Sequence, residues 1–101
     1  MNFFGKKVLF LGAHPDDIEI GCGALIHHIV KQRTDFLCVT LSENRKIPDL
    51  INVKDEHFRS MKVLGVPEDK IAFGPFITRV FPDARQEILE YFLKLRKDFK
   101  P

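Results

Sequence analysis

Residues 8–11 read Val-Leu-Phe-Leu, an unbroken apolar run that halts at Gly12 and hands over to Ala13-His14-Pro15-Asp16-Asp17. A strand without polar alternation is covered on both faces, which points to a parallel sheet flanked by helices rather than a sheet with one wet side. We read this strand as residues 7–13, and the pattern then alternates. A helix is expected over 22–32 with an apolar stripe of Leu25, Ile26, Ile29 and Val30, then a strand over 36–41. A helix over 51–64 closes at Gly65 with Pro67 just beyond, a short strand at 71–73 breaks at Gly74-Pro75, and a last helix covers 83–99 with Ile88, Phe92, Leu95 and Phe99 at helical spacing.

Three strand–helix alternations with right-handed crossovers define the α/β class: a Rossmann-like three-layer fold on a parallel sheet, three strands of which lie in this chain. The 101 residues make one domain, and a chain of this size buries roughly 60 to 70% of its unfolded surface. Three strands leave two open edges, and the last helix has no following strand to cover. The expectation is therefore that 1–101 is the N-terminal portion of a longer domain, holding half of its sheet, or that a partner chain supplies the rest.

Composition excludes several functions. A hydrophobic fraction of 45% with ten Phe and no Trp is globular, not disordered. A net charge of +2 from scattered Lys and Arg is too weak for nucleic acid. The apolar run after Lys6-Lys7 is too short for a signal peptide or a membrane span, so a cytoplasmic protein is expected, with Cys22 and Cys38 as reduced thiols. Both cysteines read first as small packing residues, Cys22 in the turn leading into the first helix.

In open α/β sheets the ligand lies beyond the carboxyl ends of the strands. Loops 14–17, 42–45 and 74–79 should therefore converge. The first of them has Gly-Ala-His-Pro-Asp-Asp where a dinucleotide binder places Gly-x-Gly-x-x-Gly, which disfavours a phosphate cradle. His14 and Asp17 carry ligand side chains three residues apart, a spacing that a turn stiffened by Pro15 can fold toward one cation. Asp16 is left beside them as a carboxylate free to act as general base toward water. The plainer alternative is that Asp16 and Asp17 cap the helix that follows.

Ala13-His14-Pro15-Asp16-Asp17, with Glu19, Gly21, Cys22 and Gly23 behind it, resembles the signature of the PIG-L/LmbE-like zinc-dependent N-deacetylases. Glu56 with Leu64-Gly65 eight residues on, and the closing Lys100-Pro101, resemble weaker features of the same family. The resemblance implies a hydrolase that removes the acetyl group from an N-acetylglucosamine-type sugar or glycoconjugate. It implies Zn2+, or another divalent metal, held by His14 and Asp17, with Asp16 as catalytic base. The family's third ligand is a histidine beyond a fourth strand, past the last residue of this chain. Val53 and Lys54 stand where the family usually has an arginine.

Other residues have two readings each. Arg45 and Arg79 are candidates for binding sugar hydroxyls or phosphate, as is Arg85, and all three serve equally as soluble surface. Glu19 is a candidate to orient a ligand from behind. His27 and His28 read as exposed helix residues and His57 as a packed, hydrogen-bonded imidazole. Gly21 and Gly23 read as a sharp turn into the first helix. The alternative function is a non-catalytic sugar- or nucleotide-binding module, or a fragment that needs a partner chain to complete its site.

Overall fold

The structure is a computed structural model that describes residues 5–44, 48–50 and 52–101. Its elements run β1 (Lys7–Gly12), α1 (Asp17–Lys31), β2 (Asp35–Thr40), α2 (Val53–Val63), β3 (Ile71–Phe73) and α3 (Arg85–Phe99), with single helical turns at Pro48–Leu50, Glu68–Lys70 and Phe81–Ala84. The three strands form one parallel sheet in the order β1-β2-β3, with Phe10 opposite Cys38 and Cys38 opposite Ile71. This is the α/β architecture that the apolar first strand implies.

Strand alternation divides the side chains between two faces. Phe10, Phe36 and Cys38 point to the side where Ile18, Ile26 and Ile29 of α1 and Met61 of α2 complete a buried cluster. Phe10 and Phe36 meet edge to face with centroids 6.5 Å apart. Leu37 and Val39 face the opposite way, and Val39 is wholly buried, so the second face is covered as well. There α3 runs back along the sheet, its Tyr91 ring against Phe76 past the end of β3 and its Phe99 ring under the Lys7 ammonium at the start of β1.

Two boundaries differ from expectation for a physical reason. Helix α1 begins at Asp17, five residues before the expected start at Cys22, and so contains Gly21, Cys22 and Gly23. Each interior glycine costs a helix about 1 kcal/mol relative to alanine. Burial of Ile18, 2% exposed, offsets that by holding the first turn on the sheet. Gly23 also admits Leu64 at the end of α2, whose methyl carbons would lie 3.9 Å from an added Cβ. The glycines are therefore not a turn, and Cys22 is a half-buried helix residue packed on the core. Helix α2 begins at Val53, with Ile51 outside the described residues, and ends as expected before Gly65, whose φ of +90° is the left-handed stop that glycine adopts without strain.

Candidate active site

Pairing between the strands continues past their formal ends and ties the three loops together. Leu41 and Ser42 donate backbone N–H bonds to the carbonyls of Gly12 and Ala13 (2.9 and 3.1 Å). Gly74 and Phe76 donate to those of Thr40 and Leu41 (2.7 and 3.2 Å). Beyond them the loops after β2 and β3 are closed by a ring of side-chain bonds. The Asn44 N–H donates to Ser42 Oγ (3.2 Å), Ser42 Oγ–H to Thr78 Oγ1 (2.7 Å), and Thr78 Oγ1–H to Asn44 Oδ1. Each hydroxyl has a single proton, so one direction of donation satisfies all three residues. The convergence expected for loops 14–17, 42–45 and 74–79 is thus present for the described parts of each.

The first loop is a tight turn. Asp17 N–H donates to the His14 carbonyl (3.3 Å), Pro15 occupies the second position and Asp16 the third, with φ +83° and ψ −27°. Those angles belong to a type II turn, whose third position favours glycine. Asp16 therefore sits in left-handed backbone at a cost of order 1 kcal/mol, one that turn geometry alone would avoid by using glycine. Asn44 (φ +61°) and Arg79 (φ +77°) adopt the same conformation, so each of the three loops contains one such non-glycine residue. Strain of this kind gathers where a particular side chain is needed.

The carboxylates do not act as helix caps in the expected manner. Asp16 occupies the capping position of α1 but makes no side-chain cap hydrogen bond, and it is exposed. Asp17 turns its carboxylate back instead, accepting the His14 backbone N–H at Oδ2 (3.0 Å), with His14 Nδ1 3.8 Å from the same oxygen. The His14 ring lies parallel to Phe81 (5.3 Å, 11°), and its Nε2 is buried without a hydrogen-bond partner among the described residues. Phe81 is a residue that no motif announces. Only the fold brings the turn after β3 beside the loop after β1.

His14 and Asp17 thus offer nitrogen and oxygen donors of the right chemistry for zinc from adjacent positions, and the unpartnered Nε2 suits a ligand atom. Among the described residues no group of three or more His, Cys, Asp or Glu side chains that could hold a metal ion is present. Arg79 is exposed on the loop after β3, whereas Arg45 lies outside the described residues. His27 is exposed on α1 and His28 half-buried there. A groove of about 530 Å³ between Lys6, Lys7, Arg33 and Asp35 opens at the amino ends of the strands, opposite to where open α/β sheets bind ligands.

A second polar group lies behind the loop, between the helices. Glu19 Oε2 accepts from His57 Nδ1 (2.9 Å) and from Ser60 Oγ (2.8 Å), two α2 residues one turn apart. His57 is only 1% exposed and also meets Phe73 edge-on at 5.4 Å. Burial alone raises the Glu19 pKa, but the His57 and Ser60 hydrogen bonds outweigh it and hold the carboxyl below its ordinary value. A carboxylate can only accept, so Nδ1 is the protonated nitrogen of His57. The sequence supports a hydrogen-bonded His57 and an orienting Glu19 separately. The 38-residue separation hides that they are partners.

An α/β domain with a carboxylate-bearing turn in the crevice at its strand ends defines the general class. The chain belongs to the PIG-L family: the family model described as GlcNAc-PI de-N-acetylase matches residues 9–101. It is also similar to the uncharacterized deacetylase YaiS of Escherichia coli (strain K12), 34% identical over 61 residues. That match covers 59% of this chain and 33% of the relative, so the matched stretch is about a third of the relative's length. Among the described residues no helix is long and apolar enough to cross a membrane.

Proposed function

We propose that this chain carries the base and part of the metal site of an N-deacetylase that hydrolyses the acetamide of an N-acetylglucosamine-type sugar or glycoconjugate. The observation that carries the reading is the type II turn at 14–17. It keeps an aspartate where glycine would be relaxed and leaves that carboxylate uncapped and exposed, in the same turn as His14 and Asp17. Family membership and a relative named as a deacetylase support the same chemistry.

In this reading His14 and Asp17 hold a divalent cation, zinc in the first instance. When bound, such an ion supplies Lewis-acid polarisation of the amide carbonyl and eases deprotonation of water. Asp16 takes the proton of the attacking water and returns it to the departing nitrogen, so that water and amide give acetate and a free amine. The parallel Phe81 ring fixes the plane of His14, and the His14 N–H fixes the Asp17 carboxylate, so neither group must be ordered when metal arrives. In this reading Arg79, exposed on the loop pinned by Thr78, binds a sugar hydroxyl or phosphate, a role we assign to Arg45 as well.

The test is zinc content by elemental analysis together with acetate release from an N-acetylglucosamine conjugate, for the wild type, His14→Ala and Asp16→Asn. Zinc lost in His14→Ala, and acetate release lost in Asp16→Asn with zinc retained, is the expected pattern. Undiminished deacetylation by Asp16→Asn would remove the assigned base. Zinc content unaffected by His14→Ala would remove the assigned site.

A further inference from the structure

We infer that His57 and Ser60 of α2 are positioning residues for the 14–17 loop, acting through Glu19. The inference rests on the proposed function insofar as it gives the loop its task, but the mechanical claim concerns the metal-free chain.

Three observations point to it. First, α1 starts without a side-chain cap, from a residue in left-handed backbone, so its first turn is not fixed by its own terminus. Second, the first turn is instead fixed from two directions. Ile18 drives into the sheet beneath Gly12, where an added Cβ would lie 2.9 Å from Ile18 Cγ1, and Glu19 reaches sideways to α2. With Ile18 directed at the sheet and Glu19 at α2, the helical repeat leaves Asp17 on the side of α1 away from α2, directly behind the turn that contains Asp16. Third, the clamp is polar in a place where apolar packing would hold the helices more simply. Lower on the same pair of helices that task falls to apolar groups, with Leu64 beside Gly23 and Val30 3.1 Å from a Cβ added at Gly65. Burying an ionised carboxylate with an imidazole seldom adds stability over an apolar pair of similar size. What it adds is direction, because Glu19 can satisfy both donors in few orientations.

Carboxylates and carbonyls that orient metal-binding groups from behind typically change metal affinity about 10- to 100-fold when removed. Glu19 differs in that it orients backbone, two residues along the chain from Asp17, and is itself held from another helix.

The experiment compares amide hydrogen exchange in the metal-free full chain for wild type, Ser60→Ala, Glu19→Gln and Glu19→Ala, with zinc titration calorimetry on the same samples. Both donors meet the same carboxylate oxygen, so Glu19→Gln is the conservative variant, keeping a neutral acceptor oxygen in that place, and should lie between wild type and Glu19→Ala. The expected result is exchange about tenfold faster at residues 16–20 in Glu19→Ala, and a smaller acceleration there in Ser60→Ala, with residues 26–31 of α1 changed by less than about twofold, since local openings are independent of the packed half of the helix. Uniform acceleration along α1, or no change at 16–20, would overturn the inference and reduce the cluster to ordinary packing. If exchange localises while the wild type binds no zinc, the positioning claim stands and the metal reading fails. If zinc binds but exchange does not localise, the reverse holds.

Discussion

Helices α1 and α3 are each 15 residues long and each has an apolar stripe, yet α1 buries Ile18, Ile26 and Ile29 while α3 buries none of its residues. Leu89 and Leu93 of α3 stand 51% and 52% exposed, and its inward row of Ile88, Phe92, Leu95 and Phe99 is only half-buried. Helical spacing of apolar side chains therefore shows which face turns inward but not how much lies beneath it. Helix α1 has both the sheet and α2 against it, whereas α3 covers one face of three short strands. Both helices start without a side-chain cap, but only α1 starts from a residue in left-handed backbone. The well-packed α1 can sustain a strained turn and an uncapped start, because buried isoleucines and the Glu19 clamp hold it.

The comparison can be broken in several ways. The largest effect should come from the start of α1. Asp16→Asn should lower acetate release about 100- to 10,000-fold, the usual worth of a positioned general base. Its melting temperature should stay put, since asparagine tolerates left-handed backbone as well as aspartate does. Glu87→Gln in the first turn of α3 should leave turnover unchanged when assayed alongside.

Core truncation comes next. Ile26→Ala should cost about 2–5 kcal/mol of stability in urea denaturation, against no more than about 0.5 kcal/mol for Leu93→Ala on α3. Equal costs would mean that α3 is as firmly held as α1.

The same burial predicts a chemical contrast. The Cys38 thiol is pushed up to about 12, chiefly by burial and further by the nearby Glu19 and Cys22. Thiol alkylation at pH 8 should therefore label Cys22 of α1 in the native protein, and Cys38 only after unfolding. Native labelling of Cys38 would show that α1 lifts from the sheet.

The smallest effect concerns the amino end of the sheet. Asp35 accepts from Lys70 Nζ (2.9 Å), and that bond, with the positive charge of Lys70 and Lys7, holds its carboxyl below the ordinary value. Its contribution is present above the usual aspartate range and is lost as pH falls through the depressed folded value. The pair is exposed, so Lys70→Met should change stability at pH 7 by less than about 1 kcal/mol. Between pH 7 and pH 3 the variant should show a correspondingly shallower acid loss in urea midpoints.

Much of this was legible in the chain. The unbroken run before Gly12 identifies a strand covered on both sides, and Ile71–Phe73 emerges as a strand with the boundaries expected of it. Gly65 with Pro67 marks the end of α2. The first turn of α1 was missed because glycines at 21 and 23 resemble a turn when nothing shows that Ile18 already anchors the helix. Phe81 and the Asn44–Ser42–Thr78 ring were illegible, since their partners are 34 to 67 residues away and no local pattern marks them.

Local order of side chains by itself determined the class of fold and the loop in which the chemistry is to be sought. Strand burial and turn chemistry act over a few residues, and His14-Pro15-Asp16-Asp17 is contiguous. Only the tertiary structure decided what holds that loop: a ring from the turn after β3 against His14, and a histidine and serine of α2 behind Glu19. Those contacts join elements distant along the chain, so they exist only once the sheet has brought its strand ends together.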